Sequence, residues 1–397
     1  MTDVKISLEN KERFLNLYKI SKDKLIEAAQ KATDKLLRIH KINGNGFPGT
    51  CSVNYKYKLF DETNWESGMY TGCFWLAYQL TGEKVYRDIA ESHLSIYKRN
   101  LVEKVGIHDH DVGFTYSPSC VAAYKITGNE WARKIALEAA DFFYTHSYSK
   151  NGKFIIRSYS VWEDGTGCRT MMDSLMNAPF LFWASKESGN TDYYEAAYQQ
   201  QITTKELLIR NDGSSFHHYQ FDPKTAKPLY GLTFQGHGDS SCWSRGHSWG
   251  VYGFPIAYSY TKDTKIRNVQ RAVTNFMLNN LPSNAIPYWD YDFKEPSEEP
   301  RDSSSCVISA CGMMEMARLI EDNTQEKEIY QTAAAMLLDS VIDNCTGDIG
   351  VEYDGLINHV THALPQGQGI DECAVYGDYF YLEALMRFIN PDWEMYW

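Results

Sequence analysis

One stretch of this chain is repeated almost position by position. Ala77-Tyr-Gln-Leu-Thr-Gly82-Glu-Lys-Val-Tyr-Arg-Asp-Ile-Ala and Ala123-Tyr-Lys-Ile-Thr-Gly128-Asn-Glu-Trp-Ala-Arg-Lys-Ile-Ala lie 46 residues apart, counted from Gly82 to Gly128. In each copy a helix-spaced apolar run ends at a glycine able to take the left-handed C′ conformation. A second amphipathic helix follows, with Tyr86, Ile89, Ala90 and Leu94 on one stripe. The unit is therefore a helical hairpin. Weaker copies begin at Trp183, Ala257, Met316 and Gly377, and a helix over Lys22–His40 supplies the remaining partner, giving about six hairpins.

Repeated hairpins stack either as an open solenoid or as a closed ring. A solenoid should keep a near-constant period, but here the spacing drifts. Long inserts rich in Gly, Trp, His and Asp interrupt it at Lys104–Phe114, Tyr159–Arg169, Phe216–Gly246, Asn284–Ser305 and Asn358–Asp371. Long irregular connections in a compact unit are usually functional, and these can meet at one mouth only if the hairpins close. The expectation is an all-α, six-hairpin α/α toroid forming a single domain over residues 1–397, with residues 1–20 as an N-terminal extension.

A net charge of −12 argues against nucleic-acid or anionic-membrane partners. The same charge would repel an acidic ligand, which must therefore meet local cationic or hydrogen-bonding groups. Aromatic residues make up 14% of the chain, enough to line a cleft with flat rings. The nine cysteines are odd in number, scattered and without a CxxC pair, which reads as free buried thiols in a reducing compartment. No leader-like h-region and no membrane-length apolar run is found, so a cytoplasmic protein is expected.

Three inserts carry candidate chemistry. In His108-Asp109-His110-Asp111-Val-Gly-Phe114, an extended backbone would send the histidines to one face and the aspartates to the other. A metal site, a solvated loop and a ligand-contacting carboxylate at Asp111 are all open readings there. Asp173 opens an otherwise apolar helix. It reads either as a cap or as an acid whose pKa is raised among Met171, Met172, Leu175 and Met176, as a general acid requires. The stretch from Phe216 to Trp249 offers stacking rings at Trp243 and Trp249 and hydrogen-bonding groups at His217 and Gln235. It also offers a carboxylate-matching guanidinium at Arg245, against the alternative of an ordinary loop with core tryptophans.

Taken together, Asp111-Val-Gly-Phe114, Met172-Asp173 with Asn177, Thr233-Phe-Gln-Gly236, Trp243-Ser-Arg-Gly246 and Tyr376-Gly-Asp-Tyr379 give the chain a family likeness. From about Trp65 to the end it resembles the unsaturated glucuronyl hydrolases, family 88 of the glycoside hydrolases. The resemblance implies the same α/α toroid and a substrate left by polysaccharide lyases, an acidic oligosaccharide whose terminal uronic acid carries a C4=C5 double bond. It implies Asp173 as general acid/base, Asp111 as second essential carboxylate, and Trp65, His217, Gln235, Trp243 and Arg245 in the substrate cleft. It implies chemistry that needs neither metal nor organic cofactor. The rivals are an unsaturated rhamnogalacturonyl hydrolase acting on pectin fragments, a non-catalytic helical-repeat scaffold, and a zinc toroid enzyme.

Overall fold

In the computed structural model the described residues are 4–107, 109–157, 168–321, 323–346 and 353–397. Outer helices α1 (Lys22–Asn43), α3 (Lys84–Glu103), α6 (Glu130–Ser147), α9 (Thr191–Leu207), α11 (Thr264–Asn279) and α13 (Thr324–Asn344) alternate with inner rods. The inner rods are α2 (Trp65–Thr81), α4–α5 (Val112–Tyr116 and Ala122–Thr127, joined by a π turn over Ser117–Val121), and α7–α8 (Ser174–Asn177 and Pro179–Ser188). They continue with α10 (Ser244–Thr261), α12 (Ser303–Leu319) and α14 (Val375–Ile389). The two classes differ in sequence as their positions require. Outer α11 buries Ile266, Val269, Val273 and Met277 along one stripe, whereas inner α10 is buried all round from Ser244 to Ala257.

Each inner rod packs on the next, and α14 packs on both α12 and α2, so the ring is closed. Its sixth hairpin joins the two ends of the chain, α1 resting against α14. The repeated glycines do what their spacing predicts: Gly82 and Gly128, and Gly189 of the third copy, cap inner helices at φ +75°, +70° and +76°. In the fourth copy the same left-handed cap is taken by Lys262 at φ +53°. Inner helices also approach closely at small residues. A Cβ on Gly68 would lie 2.2 Å from the Thr115 carbonyl oxygen, and one on Gly113 2.6 Å from Asn177 Cα.

The segment ahead of α1 is laid across the outer face. Asn275 donates to the Ile6 carbonyl at 2.8 Å, Arg13 donates to the Leu281 carbonyl at 2.9 Å, and Phe14 is buried. Within the ring the buried Trp397 stacks on Phe380, meets Phe114 edge-on at 6.0 Å and donates to Glu383 at 3.2 Å. All nine cysteines are free. Among the described residues no helix is long and apolar enough to cross a membrane.

Candidate active site

The six inner rods begin at the same end of the ring, and the candidate site is made of those beginnings. Trp65 is the first residue of α2, Asp111 precedes α4, Asp173 precedes α7, Trp243 precedes α10, and Asp302 precedes α12. The first turn of α14 adds Tyr376. Helix N-termini present unsatisfied N–H groups and a positive dipole end, so a chain with strong negative net charge still offers an anion a favourable mouth. Between them lies a cavity of about 330 Å³ lined by Trp65, Asp109, His110, Asp111, Asp173, Gln235, Trp243, Arg245 and Trp249, among others. A larger hollow of about 660 Å³ between α1 and α13 has Lys24, Lys35 and Arg38 on its walls but none of these groups.

Asp173 stands where a cap would, yet its side chain makes no capping hydrogen bond. Burial among Met172, Leu175 and Met176 raises its pKa above the ordinary carboxyl value, although His110, Arg245 and Arg157 act in the opposite direction. Its Oδ2 is sealed from solvent without a hydrogen-bond partner, 3.8 Å from His217 Nε2. The tautomer of His217 follows from its other nitrogen. Nδ1 accepts from the amides of Phe234 and Gln235 at 3.2 and 3.3 Å, so the ring proton is on Nε2 and points at the carboxyl. Burial, with His218 and two arginines, keeps that imidazole neutral. The residual exposure of the Asp173 side chain then falls on its Oδ1 side, toward the cavity.

The second carboxylate is arranged differently. His110 Nδ1 faces the Arg157 carbonyl at 3.2 Å and can only donate to it, which leaves Nε2 as an acceptor 3.3 Å from Asp111 Oδ1. Burial first, then Asp109 and Asp173, hold the Asp111 pKa well above the ordinary value, and burial lowers that of His110. Both shifts favour the neutral pair, with the Asp111 proton turned toward Nε2. Asn177 connects the two corners. Its amide nitrogen donates to Asp111 Oδ1 and to the Asp173 carbonyl, each at 3.1 Å, while its Oδ1 accepts from Phe114 N at 2.8 Å.

The expected alternation along His108–Asp111 does not hold. The described part is a turn, and atoms of Asp109, His110 and Asp111 lie within 4.8 Å of one another. Asp109 Oδ1 accepts from Asp111 N at 3.0 Å, which is what tightens the turn. His108 and the stretch Trp162–Gly167 fall outside the described residues.

The remaining wall is aromatic. Trp65 stacks on Tyr376 with centroids 5.7 Å apart. Arg245 is held between Trp243 and Tyr376, its guanidinium carbon 4.5 and 4.6 Å from the two ring centroids. Its charge is already engaged: Nη1 meets Asp302 at 3.1 Å and donates to the Thr361 carbonyl at 2.8 Å, and Nη2 donates to the His362 carbonyl. Gln235 donates to the same His362 carbonyl at 3.0 Å, so these two residues fix the 358–371 loop against the cavity.

Of the residues singled out from sequence, Asp111, Asp173, Trp65, Gln235, Trp243 and Arg245 line one cavity. His217 stands behind Asp173 with its side chain buried, and its neighbour His218 lines the cavity instead. Sequence reasoning did not find His218, Arg157, Arg169 or the roles of His110 and Asn177. The alternation of a strand after His217 is the signal that could have placed His218 on the opposite face.

The profile of Glycosyl Hydrolase Family 88 matches residues 38–386. An unsaturated chondroitin disaccharide hydrolase of Streptococcus pneumoniae is 36% identical over 397 residues, covering 98% of each chain. An unsaturated glucuronyl hydrolase of Bacillus sp. is 32% identical, covering 87% of this chain and 91% of the other. The crystal structure of an unsaturated glucuronyl hydrolase from Streptococcus agalactiae superposes with a TM-score of 0.95 at 35% identity, covering all of both chains.

Proposed function

Since the chain belongs to Glycosyl Hydrolase Family 88, we propose that its cavity removes the terminal 4,5-unsaturated glucuronic acid from lyase-generated glycosaminoglycan oligosaccharides, with Asp173 as the acid. The S. pneumoniae relative is an unsaturated chondroitin disaccharide hydrolase, and a mutant of the S. agalactiae enzyme has been solved with dGlcA-GalNAc6S at a TM-score of 0.88. The observation that carries the reading is Asp173 itself. It is a buried carboxyl with raised pKa, open to a tryptophan-lined cavity on one oxygen and faced by a neutral N–H donor on the other.

The reactive group in such a sugar is a vinyl ether, so the chemistry differs from ordinary two-carboxylate glycoside hydrolysis. Asp173 gives its proton to C4, and positive charge develops at C5 and the ring oxygen. The carboxylate thus formed accepts the His217 N–H and takes a proton from water as the water oxygen bonds to C5. The resulting hemiketal opens by breaking the bond from C5 to the ring oxygen, giving a ketone at C5 and a hemiacetal at C1, and collapse of that hemiacetal to an aldehyde releases the next sugar with a proton on its oxygen. Asp111 orients the sugar hydroxyls. Trp65, Trp243 and Trp249 stack on the rings, and Arg245, already paired with Asp302, holds the wall on which Gln235 and His362 sit.

The test is direct. Mixing the protein with an unsaturated chondroitin or hyaluronan disaccharide should abolish the ultraviolet absorbance of the conjugated alkene and release free hexosamine. An unchanged spectrum, with pectin-derived unsaturated disaccharides consumed instead, would reject the glycosaminoglycan reading.

A further inference from the structure

Among the motifs that carry the family likeness, Tyr376-Gly-Asp378-Tyr379 contributes no group to the proton transfer. Asp378 stands in the first turn of α14, only 6% exposed, yet it does not cap that helix. Its oxygens reach outward to two other segments. Oδ1 accepts from the Leu356 and Ile357 amides at 2.6 and 3.2 Å, and Oδ2 accepts from the Tyr57 hydroxyl at 3.0 Å. Burial raises its pKa to about 7, while the two amides, Tyr57 and Lys35 of α1 act in the opposite direction. An apolar side chain would fill such a space without the cost of desolvating an acid, but only an acceptor can hold two successive N–H groups.

Those amides lead into the loop that walls the cavity. Directly after Ile357 the chain enters residues 358–371, whose Thr361 and His362 carbonyls take the Arg245 guanidinium and whose His362, Ala363 and Gln368 line the cavity. Two residues ahead of Asp378, the Tyr376 ring lies against the same guanidinium, and its hydroxyl meets His362 Nδ1 at 3.2 Å. Asp378 thus joins the entry of the loop to the helix turn on which the loop closes. The exit of the loop is tied separately: Glu372 accepts from the Asn54 and Tyr55 amides, each at 2.8 Å. Residues 54–57 are therefore clasped by one acid at each end, with Asn54 and Tyr55 both left-handed at φ +52° and +60°. For a tyrosine that conformation is unfavourable and persists only where the surroundings fix it.

We infer that Asp378 is a positioning residue of this site. By holding Leu356, Ile357 and Tyr57 against the first turn of α14, it sets the 358–371 loop and the Tyr376 ring about Arg245, and so governs how tightly the acidic sugar is held. It touches neither Asp173 nor the reacting carbons, so its effect falls on binding and not on the proton transfer. This inference rests on the proposed uronide chemistry for the identity of the sugar, though not for the anchoring of the loop.

Two measurements test it separately. The first is steady-state kinetics on an unsaturated chondroitin disaccharide. Asp378→Ala strips the acceptor from two buried amides and should raise KM about tenfold or more, with kcat within about threefold of wild type. Asp378→Asn keeps an acceptor for the amides and a donor for the Tyr57 oxygen, so it should recover most of that loss. A purely structural role would lower kcat through loss of folded protein and leave KM at the wild-type value, which would overturn the inference. So would an Asp378→Asn enzyme with KM no better than Asp378→Ala. Should Asp378→Ala not fold, Tyr57→Phe removes one donor only and should still raise KM about twofold or more; an unchanged KM there overturns the proposal. The second measurement is amide hydrogen exchange, which needs no turnover. Exchange over residues 356–362 should quicken about tenfold or more in Asp378→Asn or Asp378→Ala while that of α10 stays as in wild type. Equal exchange over 356–362 in wild type and both variants overturns the anchoring. Failure of wild type to consume the disaccharide, with the exchange difference intact, would count against the uronide reading and support the anchoring.

Discussion

The two corners of the cavity each pair an aspartate with a histidine, at 3.8 Å for Asp173 and His217 and 3.3 Å for Asp111 and His110. Their proton polarity is opposite. Two backbone amides occupy His217 Nδ1 and force the N–H toward Asp173, whereas one backbone carbonyl takes the His110 N–H and leaves a lone pair toward Asp111. The first corner supports a carboxyl that must become a carboxylate during reaction, and the second supports one that stays protonated at rest. Side-chain identity alone would not separate them; the backbone groups behind each ring do.

The largest expected effect tests the first corner. Asp173→Asn keeps size and hydrogen-bonding groups but cannot deliver the proton, so turnover should fall about 10³-fold or more with substrate binding nearly intact. Retention of more than a few per cent of activity would move the acid elsewhere. Asp111→Asn tests the second corner more sharply than its size suggests. His110 Nε2 and Asn177 Nδ2 both meet Asp111 Oδ1, so asparagine can donate to the first or accept from the second at that position, but not both. A fall in kcat of about 10²–10³-fold is expected, reporting that the carboxyl oxygen serving both neighbours is needed during the cycle. Near-normal turnover in Asp111→Asn beside a dead Asp109→Asn would hand the role to the neighbouring aspartate.

The same contrast shows what the sequence could and could not carry. The ring was legible because its determinants are periodic and local: Gly82 and Gly128 mark helix ends, and the inner helices are apolar or small all round. Asp111 and Asp173 were legible as residues, since each sits at a helix start with apolar neighbours. Their protonation was not, because it depends on Phe234 N, Gln235 N and Arg157 O, which arrive from distant inserts. Arg245 illustrates the same limit. Its residue type suits a carboxylate, but Asp302, a partner 57 positions away, already claims its charge. The turn at Asp109–Asp111 departs from an extended backbone because the bond from Asp111 N to Asp109 Oδ1 is a side-chain choice that alternation cannot show.

Asn177 is where the two corners are tied, so it offers a way to uncouple them. In Asn177→Ala the Phe114 amide loses its acceptor and Asp111 loses a donor, both in buried surroundings. A stability loss of about 1–3 kcal/mol is expected in a denaturant titration. Turnover should drop about 10–100-fold, since roughly 1.4 kcal/mol of lost positioning is tenfold in rate. Unchanged turnover alongside the stability loss would mean that the corners act independently and that their common tether is only structural.

The smallest effect is the most specific to the polarity argument. A raised pKa keeps Asp173 protonated to higher pH than an ordinary carboxyl, so kcat should fall as pH rises through that value. The His217 N–H faces Oδ2 at 3.8 Å, an orientation that favours the carboxylate once it forms. His217→Phe keeps the bulk behind the carboxyl and removes the donor, so the alkaline limb of the pH–kcat profile should move to higher pH. Loss at the plateau should stay within about tenfold, because the proton donor itself remains. A limb that stays put would show that the imidazole does not address the carboxyl. A limb that moves to lower pH would show that the ring presents a lone pair instead, and the two corners would then share one polarity.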